Sequence, residues 1–284
     1  RAIIDNNLQM QNLSQLLKTT LRQFKETEET RFLYPTNGLQ QAWDIVAHRF
    51  KALGGQIYSG VGARMEGDGS KVTKIWAGER ASFVPSQVIW TAPITLATEQ
   101  LGFERPNLDY LGLLIFNVCA EYDVPRQYQW CYYGADDIVF NRVSIPRFFS
   151  EKTAPKGTTG LCVEVTCMKG DERWQHAERL TDWVVDDLIR VGMLPNRTAV
   201  HDVYVERIED SYPIYHKRYT KELEQARTNL DAYQNLHLAG RTGMFWYNNM
   251  DHSIENAMQL CKRLLRSAGR ADAKEQNLAA GLSA

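Results

Sequence analysis

Apolar residues recur at near-helical spacing over Ile4, Leu8, Leu13, Leu16, Leu17, Leu21 and Phe24, which predicts an amphipathic helix at the start of the chain. The same period through Leu39, Ala42, Trp43, Val46, Phe50 and Leu53 predicts a second helix, and Gly54 and Gly55 supply the left-handed conformation that ends it. Between them, Phe32 to Gly38 joins an apolar strand end to a turn punctuated by Pro35 and Gly38. Strand signals follow at Gln56 to Val61, Lys71 to Trp76 and Gln87 to Thr91, with Gly67, Asp68 and Gly69 as turn residues, so a three-stranded meander is expected.

From Leu108 the pattern becomes β-rich, with runs at Leu111 to Cys119, Tyr128 to Tyr133, Phe140 to Ile145 and Leu161 to Cys167. Their short polar connections favour antiparallel pairing. Helical spacing returns at Trp174 to Val191, with Ala177, Leu180, Val184 and Leu188 inward, and at Lys217 to Tyr233, where Lys217, Arg218 and Lys221 read as a solvated face. Ala199 to Ile208 and Leu236 to Ala239 are further strands. Asp251 to Ser267 is a helix expected to turn Ile254, Ala257, Met258, Cys261 and Leu265 inward, and the chain beyond Arg270 reads as a frayed tail.

Composition narrows the classes. With 44% hydrophobic and 24% charged residues the 284-residue chain can bury a full core. Lys and Arg total 33 against 34 Asp and Glu, so no net field would gather nucleic acid or anionic lipid. No apolar run reaches the roughly 18 residues that cross a bilayer, and a cytoplasmic protein is expected. Cys119, Cys131, Cys162, Cys167 and Cys261 lack C-x-x-C spacing and are expected as buried reduced thiols. His48, His176, His201, His216 and His237 are scattered without metal-ligand spacing, so no metal is expected. The chain enters its first helical pattern directly at Arg1, as a sequence with more chain upstream would.

The stretch most able to carry chemistry is LHLAGRTGMFWYNNMDHSIENAM, residues 236–258. A short strand ends in Gly240 and Gly243, and a polar-aromatic loop then opens a helix at Asp251. Glycine permits close backbone approach, and free N–H groups at a helix start favour negative charge. On spacing alone the same turn serves as an ordinary strand-to-helix connection.

The run GRTGMFWYNNMDHSIENAM is similar to the C-terminal signature of the FAD-dependent amine oxidase superfamily, in particular UDP-galactopyranose mutases and protoporphyrinogen-oxidase-like proteins. FLYPTNGLQQAW, GGQIYSGV and VIWTAP resemble further family segments. The resemblance implies FAD, with Gly240, Arg241, Gly243, Asn249, Met250, Asp251, His252 and Ser253 around the flavin ring and Val61 near the adenosine end. It implies an α/β fold: a partial FAD/NAD(P)-binding domain lacking its N-terminal Rossmann cradle, over 32–101 and 236–270, with an antiparallel-sheet substrate domain inserted at 102–235, an N-terminal cap helix at 1–31 and a flexible tail at 271–284. The family's G-x-G-x-x-G cradle is absent. Its nearest imitation, Gly60 to Met65, reads as a turn region. The missing segment is expected in a longer gene product or a partner chain.

QWCYYGADDIVFNRVSIPRFFS resembles the eukaryotic type of mutase, in which a Tyr and an Arg at this spacing hold a sugar-nucleotide diphosphate. That implicates Tyr132 and Arg142, joined by Arg241, Tyr247, Asn249 and Tyr212. The loop at Tyr247 to Asn249 is shorter than the mutase's. Read from the residues alone, Arg142 is a cross-strand ion-pair member and the tyrosines are half-buried sheet residues. Three functions stay open: a mutase-type flavoenzyme acting on a small-molecule UDP-sugar with reduced flavin as nucleophile, an FAD-dependent oxidase or dehydrogenase, and a non-catalytic fragment or subunit that cannot hold FAD alone.

Overall fold

The computed structural model describes residues 33–125 and 128–267, so the helix expected over 1–31 and the tail expected over 271–284 lie outside the described residues. The chain divides into two compact units. The first comprises the described residues up to Leu53 with Phe116–Glu164 and Thr181–Tyr204; the second comprises Gly54–Ile115, Val165–Leu180 and the described chain from Val205 onward.

In the first unit, Gly38 takes φ 89° ahead of helix α1 (Leu39–Ala52). Leu39, Trp43, Val46, Phe50 and Leu53 form the apolar stripe that the spacing predicts, yet each is exposed and no residue of α1 is buried among the described residues. No strand forms over the described residues 33–38; there Tyr34 stacks on Phe149 at 4.8 Å, and Phe149 stacks on Trp130 at 5.9 Å.

The β-rich region forms a five-stranded sheet. Its strands are β5 (Tyr110–Ala120), β6 (Trp130–Tyr132), β7 (Arg142–Ser144), β8 (Thr159–Cys167) and β9 (Val200–Pro213), in the order β6-β7-β8-β5-β9. Antiparallel β7–β8 pairing sets Arg142 directly opposite Glu164. The Arg142 guanidinium binds the Glu164 carboxylate through Nε at 2.8 Å and through Nη2, and its Nη1 donates to Tyr132 Oη at 3.3 Å. Glu164 is buried, so this is the cross-strand ion pair that the residues alone predict.

The second unit holds the meander β1 (Ala63–Gly67), β2 (Val72–Ala77) and β3 (Ala81–Phe83), antiparallel in that order. Two expectations are corrected here. Residues 56–61 form no strand, and β1 instead runs through the second half of Gly60 to Met65, the segment read as a turn region. The run at Gln87 to Thr91 leaves the meander: β4 (Val88–Trp90) pairs in parallel with β10 (Leu236–Leu238), Leu236 opposite Val88 and Leu238 opposite Trp90. Helix α2 (Ile94–Gln100), which periodicity did not announce, follows Pro93.

The helix expected over Trp174 to Val191 breaks into α3 (Glu172–Gln175), a 3-10 turn at Ala177–Leu180 and α4 (Thr181–Arg190). His176 leaves helical backbone, and Arg207 Nε takes the Trp174 carbonyl at 3.0 Å that a continuous helix would use. Ala177, Leu180, Val184 and Leu188 are nonetheless buried as the spacing predicts. Helix α5 (Tyr219–Asp231) brings Leu223 and Leu230 into a core with Met65, Val88, Trp90, Ile94, Tyr110, Leu236 and Phe245. Of the thiols, only Cys167 is buried; Cys119 and Cys261 are exposed and Cys131 and Cys162 half-buried, which corrects the expectation of five buried thiols. No described helix is long and apolar enough to cross a membrane.

One buried amide ties the meander to the parallel pair. Asn235, just before β10, accepts from Val72 N at 2.8 Å and donates from Nδ2 to Val72 O at 3.0 Å and Pro85 O at 3.4 Å. Asn235→Ala would strand both buried backbone groups of Val72, at a cost of about 2–3 kcal/mol; urea unfolding should read that loss, and a variant as stable as the parent would contradict the clamp. Arg142→Ala would leave Glu164 buried without its counter-charge and should cost on the order of 3 kcal/mol. The double variant carrying Glu164→Gln as well should recover part of that loss, and a destabilisation it leaves unchanged would refute the charge argument.

Candidate functional site

The end of β10 is placed by backbone contacts that only glycine allows. Ala239 N donates to Trp90 O at 3.0 Å, Gly240 turns at φ 73°, and the single-turn helix α6 (Gly240–Gly243) follows. A Cβ on Gly243 would stand 2.6 Å from Trp90 O and 3.2 Å from Thr91 Cα, both fixed backbone atoms. Thr242 Oγ1 donates to Thr91 O at 2.7 Å. Tyr110 Oη donates to Thr242 O at 2.7 Å and accepts from Ile94 N at 3.3 Å, bridging α6 and the start of α2. Burial pushes the Tyr110 phenol well above its ordinary range, so it stays a neutral donor.

Past α6 the chain enters a left-handed residue that is not glycine. Phe245 has φ 49° and is almost fully buried. A bulky residue in that region is strained, and surrounding packing has to hold it. The Tyr110 and Tyr215 rings meet Phe245 edge-on at 5.1 and 5.9 Å, and Tyr215 Oη accepts from Tyr247 N at 2.7 Å. Arg227 Nη2 donates to Met244 O at 2.9 Å. Sequence reasoning passed over Tyr110, Tyr215 and Phe245, whose roles come from partners distant along the chain.

The loop delivers Asn248 to the start of helix α7 (Met250–Ser267). Asn248 is 5% exposed; its Oδ1 accepts from Ser253 Oγ at 2.9 Å, and its Nδ2 is buried with no partner among the described residues. Leaving such a donor unpaired costs about 1–3 kcal/mol. Asn249 N donates to His252 Nδ1 at 3.4 Å, and that nitrogen lies 3.4 Å from the exposed Asp251 carboxylate. The expected inward face of α7 is corrected: Ile254, Met258, Cys261 and Leu265 are exposed, Leu260 is buried, and Ser253, Asn256 and Leu264 are half-buried. Asn256 Oδ1 is a second buried atom without a partner among the described residues. The inward face is instead the mixed stripe of Ser253, Asn256, Leu260 and Leu264.

Arg241 lies over a pair of adjoining rings, its guanidinium 4.9 Å from the Tyr212 ring and 5.3 Å from the Tyr247 ring, with the two ring centroids 5.7 Å apart. Its Nη2 donates to Asn248 O at 2.6 Å and its Nη1 to Ser211 O at 3.4 Å. Carbonyls and ring faces orient the cation without cancelling it, and no carboxylate lies within ion-pair distance among the described residues. Arg241, Tyr212, Tyr247, Asn249, Met250, Asp251, His252 and Ser253 thus share the second unit with Gly240, Gly243 and Val61, whereas Tyr132 and Arg142 belong to the first, where Arg142 is paired.

No protein-family model and no curated protein sequence matches the chain. Solved structures do. A reduced UDP-galactopyranose mutase superposes with a TM-score of 0.70 at 19% identity, over 82% of this chain and 52% of that one. A protoporphyrinogen oxidase-like protein from an Exiguobacterium species gives 0.64 at 15% identity, over 86% and 54%, and a putrescine oxidase bound to putrescine gives 0.53 at 15%, over 81% and 53%. The chain spans about half the length of these structures. At such identities the likeness establishes the fold alone: this chain shares the fold of about half of each of these structures.

Proposed function

We propose that the chain is the ring-binding and substrate-binding portion of an FAD-dependent enzyme, and that its substrate is a sugar nucleotide held through its diphosphate by Arg241, Tyr212 and Tyr247. The observation that carries this reading is the Arg241 cation, set against two adjoining tyrosine rings with no carboxylate partner among the described residues. A phosphate oxygen supplies the missing counter-charge, and the remaining guanidinium N–H groups suit bidentate contact. Arg142, already bound to Glu164, can take a phosphate only as a shared partner, so Tyr132 and Arg142 are secondary in this reading.

The residues present fit a flavin ring. The first turn of α7 offers free N–H groups, and the buried Asn248 Nδ2 adds a donor, while Gly240 and Gly243 seat the loop against Trp90 and Thr91. FAD bound there would supply a ring nitrogen able to act as nucleophile or hydride acceptor. Met250, Asp251, His252, Ser253 and Asn249 would line the ring through backbone and side-chain groups, with Val61 toward the adenosine end. The FAD pyrophosphate requires a glycine-rich cradle that this sequence does not contain, so a further segment, in the same gene product or a partner, completes the cofactor site. Residues 32–101 and 236–270 belong to the FAD domain in this reading, and 102–235 to the substrate domain.

The test is the visible spectrum of the purified 284-residue chain, taken with FAD and then with UDP, after gel filtration. Flavin bands that travel with the protein and shift on UDP are expected, and Arg241→Met should weaken the UDP response by roughly tenfold, the loss of about one charge-assisted hydrogen bond. Bands blind to UDP would overturn the sugar-nucleotide assignment in favour of an oxidase. A colourless protein would overturn flavin binding by this chain.

A further inference from the structure

We propose that Asn248 is a ligand-contacting residue of the helix-start site, and that its side-chain N–H donates to a carbonyl oxygen on the pyrimidine portion of the flavin ring. The inference rests on the flavin reading above and adds a residue that the sequence motifs did not single out.

Asn248 is held from two sides. Its backbone carbonyl accepts from Arg241 Nη2 at 2.6 Å, and its side-chain Oδ1 accepts from Ser253 Oγ at 2.9 Å, in the first turn of α7. The first bond holds the backbone and the second orients the side-chain amide, which leaves Nδ2 as the one polar atom of the side chain with no partner among the described residues, at 5% exposure of the residue. A buried amide that is oriented but not satisfied calls for an acceptor from outside the chain. The surroundings state what kind. The Arg241 guanidinium, the N–H groups at the start of α7 and Nδ2 itself all present positive potential, and no carboxylate in this group faces inward, since Asp251 is exposed. An electron-rich oxygen is therefore favoured, and a ring carbonyl that gains charge on reduction fits better than a hydroxyl or an amine. Asn248 also links two functions: one end steadies the cation proposed for the diphosphate, the other meets the ring.

The probe is lumiflavin, the ring without ribityl phosphate, so that the missing cradle plays no part. Binding to the full 284-residue chain is read by quenching of lumiflavin fluorescence. Asn248→Leu keeps the shape, removes the donor and relieves the unpaired burial; Asn248→Asp keeps the acceptor bonded to Ser253 and removes the donor. Both should bind lumiflavin at least tenfold more weakly than the parent, while the melting temperature of Asn248→Leu without ligand stays equal or rises. If the parent binds lumiflavin and both variants bind it equally well, Nδ2 serves a buried water only and this proposal fails while the flavin reading stands. If Asn248→Asp alone binds like the parent, the side chain is an acceptor and the donor assignment is wrong. A parent chain that does not quench lumiflavin overturns the flavin reading, and this one with it.

Discussion

Backbone lies against backbone where Gly243 meets the carbonyl of Trp90, and the geometry of the second unit depends on that contact. A methyl group there would sit 2.6 Å from the oxygen, so the parallel pairing of β4 with β10 and the placement of α6 require glycine together. Everything downstream inherits the placement. Tyr110 reaches Thr242 O because α6 lies close, and Phe245 is held in its left-handed conformation by the rings that Tyr110 and Tyr215 bring to it. The loop then delivers Arg241 and Asn248 to each other and to the first turn of α7.

Much of this was legible in the sequence wherever the signal is local. The strand, glycine turn and helix over 236–267 follow from spacing, and the antiparallel pairing of β6, β7 and β8 follows from short connections, whereas β5 pairs with β8 and β9 and not with the strand next in sequence. What failed was non-local. The run at Gln87 to Thr91 reads like a meander strand because nothing near it names β10 as its partner. The apolar stripe of α7 predicts the wrong buried face because Ser253 and Asn256 are turned inward instead. The single helix expected from Trp174 breaks because Arg207, far along the chain, takes its carbonyl. Within the candidate site, glycines and charged residues were readable from motif, whereas Tyr110, Tyr215, Phe245 and Asn248 matter through contacts that no periodicity encodes.

The two arginines singled out by motif show why residue type alone does not assign a role. Arg142 and Arg241 carry the same charge beside tyrosines. The first is matched by a buried carboxylate across a sheet ladder, so its charge stabilises the first unit. The second is bounded by carbonyls and ring faces, which orient the guanidinium and leave its charge available. Position in the ladder, rather than the flanking motif, separates a cation matched by a carboxylate from one without a carboxylate partner among the described residues.

The Asn235 clamp has a consequence for how the protein is made. Its partner Val72 lies 163 residues earlier, and the β4 strand it steadies has no partner until β10 has been synthesised. At about 5–20 residues per second, a ribosome needs roughly 10–30 s to cover that interval. During it β4 presents unpaired backbone and the core is half built, so the second unit closes only once β10 has been made. A chaperone that shields the nascent meander over those seconds would raise the yield of folded chain more than one acting after release.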